Sequence, residues 1–247
     1  MSNRTLNYVG FDTETTGLDL EESRIIQAAV VGEKEAVTFI DPGIEIPADA
    51  VAIHGITNEF LANNGLLPRD GILDIWKQLG DQTKAIVGCN LQFDLTIFDR
   101  ECRRYGIPPI DFNSRVIYDV LILDRGLDKY RSGSRKLTAL AEHYGVPQDK
   151  AHDALGDVKM TIGVLEKMKE KFPQIDSWSP AELMARQQKF HNDWAVNYMI
   201  WCRNNGREGV VIDLGFPYIP LVKEVSYLNS FDINNEIKTN SISTLAI

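Results

Sequence analysis

Two acids, Asp12 and Glu14, stand two residues apart at the end of an apolar run, LNYVGFDTE (6–14). Side chains alternate faces along a strand, so both carboxylates point to one side of a sheet. Two carboxylates side by side repel, and an apolar strand is a costly place for them. A divalent cation removes that cost, because Mg²⁺ and Mn²⁺ favour carboxylate oxygens. Taken alone, the pair reads sooner as solvated strand-end acids than as metal ligands. Thr15, Thr16 and Gly17 follow as a tight polar turn whose hydroxyls and backbone N–H groups can meet a phosphate or a sugar hydroxyl.

A second acid group begins at Asn90 and Asp94, four apart at the start of a helical pattern and so on one face. Asn90 also suits a helix N-cap. Asp94 borders the apolar stripe Leu91, Leu95, Phe98, Cys102, Tyr105, and an acid there needs a partner. His152 and Asp157 are five apart, which on one continuous helix is ~140° around the axis. The spacing makes sense if Asp153 caps the helix, leaving His152 on the loop before it and Asp157 in the first turns. A mobile imidazole beside a fixed carboxylate suits a general base. In isolation, the pair reads as a surface His and a helix-start Asp favoured by the helix dipole.

The elements that must position these groups are legible as patterns. LNYVGFDTE, IIQAAVVGE (25–33) and AVTFIDPG (36–43) predict a three-strand meander. IPADAVAIHGIT (46–57) is expected to be irregular, DGILDIWKQLGDQ (70–82) helical, and AIVGCN (85–90) a short buried strand. A helix over LQFDLTIFDRECRRYG closes at Gly106. SRVIYDVLILDRG (114–126) reads as a strand, or a strand followed by a helix. Helices follow over 136–146 and 151–173. Strands first, then helices interleaved with strands, give an α/β domain with a mixed sheet. A boundary is expected near FPQIDSWSP (172–180), giving a domain over 1–172. A mainly helical extension over 173–228 contains one long helix ending at Gly206. A polar tail over 229–247 is expected to be poorly ordered.

Bulk properties narrow the class. The 247 residues suit one large domain with an appendage, and 44% hydrophobic residues suffice for a core. No apolar run approaches the ~20 residues that cross a bilayer, so no membrane partner is expected. Cys89, Cys102 and Cys202 form no metal-ligand spacing and read as thiols of a reducing, cytoplasmic compartment. A net charge of −9 argues against holding nucleic acid by charge alone. It is compatible with clustered carboxylates that recruit cations. Lys129, Arg131, Arg135 and Lys136 around a Ser-Gly-Ser turn are a candidate backbone-binding strip, or a solvated loop.

FDTETTG, then N-x-x-F-D, then H-x-x-x-x-D, in that order, resembles the DEDDh family of 3′–5′ exonucleases, which have an RNase H-like fold. GCNLQFDLTIF and AHDALGDVKMT resemble its second and third motifs. IHGIT (53–57) resembles the stretch between the first and second. The resemblance covers roughly residues 5–172. It implies that Asp12 bridges two Mg²⁺ or Mn²⁺ ions, that Glu14 and Asp157 complete one site, and that Asp94 holds the other. It implies that His152 takes a proton from the water attacking the terminal phosphodiester, releasing a nucleoside 5′-monophosphate. Thr15 would meet the 3′-hydroxyl and Leu18 would wedge against the last base, with His54, Ile56 and Phe93 nearby and Gly17 and Asn90 completing the contacts. Cys89 departs from the His or Tyr of many relatives, altering a wall of the pocket but no metal ligand. The implied substrate is a single-stranded 3′ end, DNA favoured over RNA, in proofreading or repair, with a DNA polymerase as a candidate partner. An exoribonuclease acting on short RNA is the alternative within nucleases. A catalytically silent nucleic-acid- or polymerase-binding module is the alternative outside enzymes. An aspartyl phosphatase of the D-x-D-x-T type is disfavoured, because Glu14 replaces its second Asp. Trp194, Tyr198 and Trp201 fall near helical spacing and read first as packing, second as a partner surface.

Overall fold

The computed structural model describes residues 8–148 and 153–221. Its organising strand, β1 (Tyr8–Thr15), is flanked by β2 (Ile25–Val31), which pairs with β3 (Glu35–Phe39), and by β4 (Ala85–Gly88), which pairs with β5 (Ile117–Asp119). The sheet order is β3-β2-β1-β4-β5. The first three strands are antiparallel, as the meander predicts, and β1, β4 and β5 run parallel. The expected mixed α/β sheet is thus present.

Alternation along β1 divides the core. Val9 and Phe11 face α3 (Pro68–Leu79) and α4 (Leu91–Arg104), where Ile72, Ile75, Leu95 and Phe98 are fully buried. On the opposite face, Tyr8 and Val87 pack with α6 (Leu137–Tyr144) and α7 (Ala154–Lys171) through Leu140, Val164 and Leu165. Gly10 sits where α7 crosses β1. A Cβ there would lie 2.3 Å from Val158 Cγ1, so only glycine allows this approach. Asp157 is the neighbour of Val158, so the same contact sets how close its carboxylate comes to the sheet. Gly10→Ala is expected to cost about 1–3 kcal/mol by overpacking, read as a lower urea midpoint. An unchanged midpoint would mean that α7 moves aside freely.

Two expectations need correction. IPADAVAIHGIT is not irregular: it forms α1 (Ala48–His54), closed by Gly55 at φ 74°, and leads to α2 (Asn58–Asn64), capped by Thr57. Helices of seven residues are too short to display a clear 3.6-residue stripe, so local caps define them. The basic strip is largely turned inward. Arg131 and Arg135 both pair with Asp124, which is fully buried within α5 (Val120–Leu127) and also accepts from Tyr144 Oη at 2.8 Å. A buried acid needs such partners, and these two guanidinium groups are occupied.

After α7 a short turn, α8 (Gln174–Ser177), leads to α9 (Pro180–Asn204), which opens with a Ser179/Glu182 capping box. On α9 the buried Gln187 amide completes the edge of β5. Its Oε1 accepts from Asp119 N at 2.9 Å and its Nε2 donates to Ile117 O at 2.7 Å. The chain then returns across α4: Ile219 N donates to Thr96 Oγ1 at 2.9 Å, and Tyr218 stacks edge-on against Phe112. The tail expected to be poorly ordered lies outside the described residues. Among the described residues no helix is long and apolar enough to cross a membrane.

Candidate active site

The end of β1 carries Asp12 and Glu14 on the face that meets α7. Carboxylate oxygens of Asp12, Glu14 and Asp157 all lie within 4.8 Å of one another. Thr13, between the two acids, faces the other way and holds the fourth. Asp94 Oδ1 accepts from Thr13 N at 3.0 Å and from Thr13 Oγ1 at 2.6 Å. Asp94 therefore has the partner its position demanded, and the partner is a strand residue.

The electrostatics of this cluster are adverse as it stands. Burial pushes Asp12 well above the usual carboxylate value, and the charges of Asp94, Glu14 and Asp157 add to the effect. Burial raises Glu14 to about 7, with Asp157, Asp94 and Asp153 contributing. Asp94 is also pushed up to about 7 by burial, despite the lowering effect of its Thr13 hydrogen bonds. Half-buried acids that repel one another, presenting oxygen donors alone, are matched by a hard divalent cation.

The turn from β4 into α4 is fixed by an acid the sequence patterns did not single out. Asp119, fully buried, accepts from Asn90 N, Leu121 N and Ile122 N through Oδ1 at 3.0–3.2 Å, and from Leu91 N through Oδ2 at 2.8 Å. One carboxylate thus caps α4 and α5 together. An acid between the strand-like IY and the apolar VLIL is an N-cap pattern, and that signal could have found it. Asn90 takes positive φ, 66°, which Asn tolerates better than most residues, and its side chain makes no cap hydrogen bond. Asp119→Ala is expected to destabilise the fold by roughly 2–4 kcal/mol, about 1–2 for each lost cap. Urea unfolding measures this, and Asp119→Asn should restore part of the loss.

Beside the acids opens a cleft of about 450 Å³ lined by Gln27, Phe39, His54, Ile56, Phe60 and Asp153. His54 Nδ1 accepts from Ile56 N at 3.0 Å, which leaves Nε2 as the ring's donor, and burial lowers its pKa. Among the described residues, that buried Nε2 has no hydrogen-bond partner. Of the other anticipated contacts, Thr15 Oγ1 donates to Gly17 O at 2.6 Å, bracing the turn. Leu18 stands 85% exposed at its tip, and Phe93 is half-buried against the α4 core. His152 lies outside the described residues. Asp153, the next in the chain, is the N-cap residue of α7 without a side-chain cap bond.

Residues 9–165 match the model of the RNase T exonuclease family. The chain belongs to this exonuclease family. The DEDDh resemblance and the RNase H-like fold read from the sequence are borne out. This exonuclease-family chain is 30% identical over 160 residues to a PolC-type DNA polymerase III of Lacticaseibacillus paracasei, covering 62% of the chain and 11% of that protein. It is 28% identical over 175 residues to an uncharacterised exonuclease of Escherichia phage 186, covering 64% of the chain and 85% of the relative. In structure it resembles exonuclease I from Methylocaldum szegediense at 26% identity with a TM-score of 0.59, covering 68% of this chain and 41% of that one. The chain thus spans about a tenth of the polymerase and two fifths of exonuclease I.

Proposed function

We propose that the protein is a metal-dependent 3′-to-5′ exonuclease that removes nucleoside 5′-monophosphates from single-stranded DNA. The observation that carries this reading is the convergence of Asp12, Glu14 and Asp157, with Asp94 fixed beside them, in a family of exonucleases. The all-oxygen donor set and the raised carboxylates fit Mg²⁺ or Mn²⁺. Asp12, Glu14 and Asp157 would hold one ion, and Asp12 with Asp94 a second. Two such ions supply charge to the attacking and leaving oxygens of an in-line displacement.

The chain's own groups do the rest. His152 takes the proton of the attacking water. Thr13 fixes Asp94 through its Oδ1. The cleft beside Glu14 receives the terminal nucleoside, where His54 Nε2–H offers a donor and Phe39 and Phe60 offer apolar walls. Apolar and aromatic walls accept any base, as an enzyme that removes every nucleotide requires.

DNA is favoured by the motif spacing, by the HGIT stretch and by the PolC-type relative. The proposed setting is proofreading or repair beside a DNA polymerase, in the reducing cytoplasm that three free thiols suit. Competing single-stranded DNA and RNA of one sequence in one tube tests the sugar. DNA consumed first is expected; RNA consumed first would make the enzyme an exoribonuclease.

A further inference from the structure

One buried guanidinium joins three segments of the chain. Arg100, on α4, donates through Nε to Glu21 Oε1 at 2.7 Å, through Nη1 to Asp99 Oδ2 at 3.0 Å and through Nη2 to Ile219 O at 3.1 Å. Glu21 belongs to the loop that follows β1, Asp99 to α4 itself, and Ile219 to the C-terminal return, outside the matched family segment. A planar fork fixes three directions at once, which an ammonium on a flexible stem does not. The loop it reaches is tied at every stage. Thr16 N donates to Arg24 O and Arg24 N to Thr16 Oγ1, both at 2.9 Å, closing its base two residues beyond Glu14. Asp19 Oδ1 accepts from Glu21 N and Glu22 N at 2.9 Å, and Leu20 packs against the core beside α3 and α4. Arg104, one helical turn past Arg100, donates from Nη2 to Glu21 O. Leu18, three residues before Glu21, is the exposed tip of this braced loop.

The return segment is fixed to α4 just as closely. Gln92, Thr96 and Arg100 are four apart and share one stripe of the helix. Gln92 Nε2 donates to Asp213 O and Gly215 O, Thr96 Oγ1 accepts from Ile219 N, and Arg100 reaches Ile219 O. Helix α9 holds the other side, where Gln188 Nε2 donates to Leu214 O and His191 Nε2 to Asp213 O, both at 2.8 Å. A buried charge needs each of its donors satisfied, and residues 213–219 supply the third acceptor of Arg100. Helix α4 thus carries Asp94 in its first turn and, six residues or ~9 Å further along, the group that pins the Leu18 loop to the C-terminal return.

We propose that Arg100 is a positioning residue for the terminal nucleotide: through Glu21 it fixes Leu18 against the last base, and residues 213–219 fix Arg100. The inference rests on the exonuclease reading. It gives the segment beyond the family match a part in gripping the 3′ end rather than in metal chemistry. A wedge held in place before the strand arrives loses little further freedom on binding, so these contacts act on affinity. They leave Asp12, Glu14 and Asp157 as they are, so the chemical step does not depend on them.

The test reads KM and kcat on oligo(dT) with Mn²⁺. Glu21→Gln removes the ion pair at a carboxylate that is 61% exposed, so the fold survives the change. It is expected to raise KM about two- to fivefold, the effect of one lost ion pair, with kcat unchanged. Thr96→Val removes the acceptor of Ile219 N and should raise KM about fivefold, and Arg100→Lys, which keeps the charge and loses the fork, about tenfold. Each rise should vanish in a Leu18→Ala background, because a residue that acts through Leu18 has nothing to position there. Affinity for 5′-labelled oligo(dT), followed by anisotropy with Mn²⁺ in an Asp12→Asn background, should fall in step with KM. Unchanged KM in Glu21→Gln and Thr96→Val, or rises that persist in full without Leu18, in a protein that shortens DNA, would overturn the inference and leave the exonuclease reading intact. Leu18-dependent losses of affinity in a protein that hydrolyses no DNA would uphold the positioning and sink the exonuclease.

Discussion

Asp12→Asn is expected to lower the hydrolysis rate at least ~10²–10³-fold, as for loss of one fixed charge stabiliser, while raising the melting temperature of the chelated protein. The opposing signs follow from one cause. Burial and three neighbouring acids hold the Asp12 pKa well above its unfolded value, and Glu14 and Asp94 are raised to about 7. A carboxyl raised in the folded state stabilises it fully at pH below the unfolded value, near 4, and that stability is lost as pH rises through the folded value. Metal-free protein should therefore melt lower at pH 8 than at pH 5. Asn is neutral at both and nearly the same shape, so it relieves the repulsion. Mn²⁺ should reverse the order, since a ligand at 100 times its Kd adds about 2.7 kcal/mol to the wild type. The variant, lacking the shared ligand, should gain much less. Scanning calorimetry at both pH values, with and without chelator, reads all four states. An Asp12→Asn protein that melts below the wild type in chelator would show that the acid stabilises the fold by some other contact.

His152→Ala is expected to cost ~10²–10⁴-fold in kcat, the usual contribution of a positioned general base, with KM little changed. The pH profile distinguishes this role from a structural one. A base must be neutral to accept a proton, so wild-type kcat should rise through an imidazole value near ~6.5 and level off above it. The carboxylates should not add a limb in that range when metals keep them ionised. In His152→Ala the limb should disappear, leaving a slow, flat profile. A variant that keeps the limb would move the titrating group elsewhere, and Glu14 would be the first to examine.

The parts of the fold that could be read in advance were those with a period. Alternation in LNYVGFDTE placed Asp12 and Glu14 on one face, and the structure brings them to Asp157. The four- and three-residue steps of α4, and the glycines closing α6 and α9, marked those helices. What escaped was set by single contacts with no period. Helices α1 and α2 depend on Gly55 and Thr57 rather than on an apolar stripe. Asp119 acts through four backbone groups from two elements, and its residue type alone does not reveal that reach. Arg131 and Arg135 looked free because Asp124, which claims them, lies in a run that reads as apolar. Gln187, polar in a helix pattern, could not be known to finish a sheet edge 70 residues away.

The most direct measurement is a time course on 5′-labelled single-stranded DNA, with Mn²⁺, with chelator, and with Asp12→Asn alongside. The account predicts a ladder shortening one nucleotide at a time from the 3′ end, release of nucleoside 5′-monophosphate, and no shortening in chelator or in the variant. Shortening that persists in chelator, or label released from the 5′ end first, would contradict it.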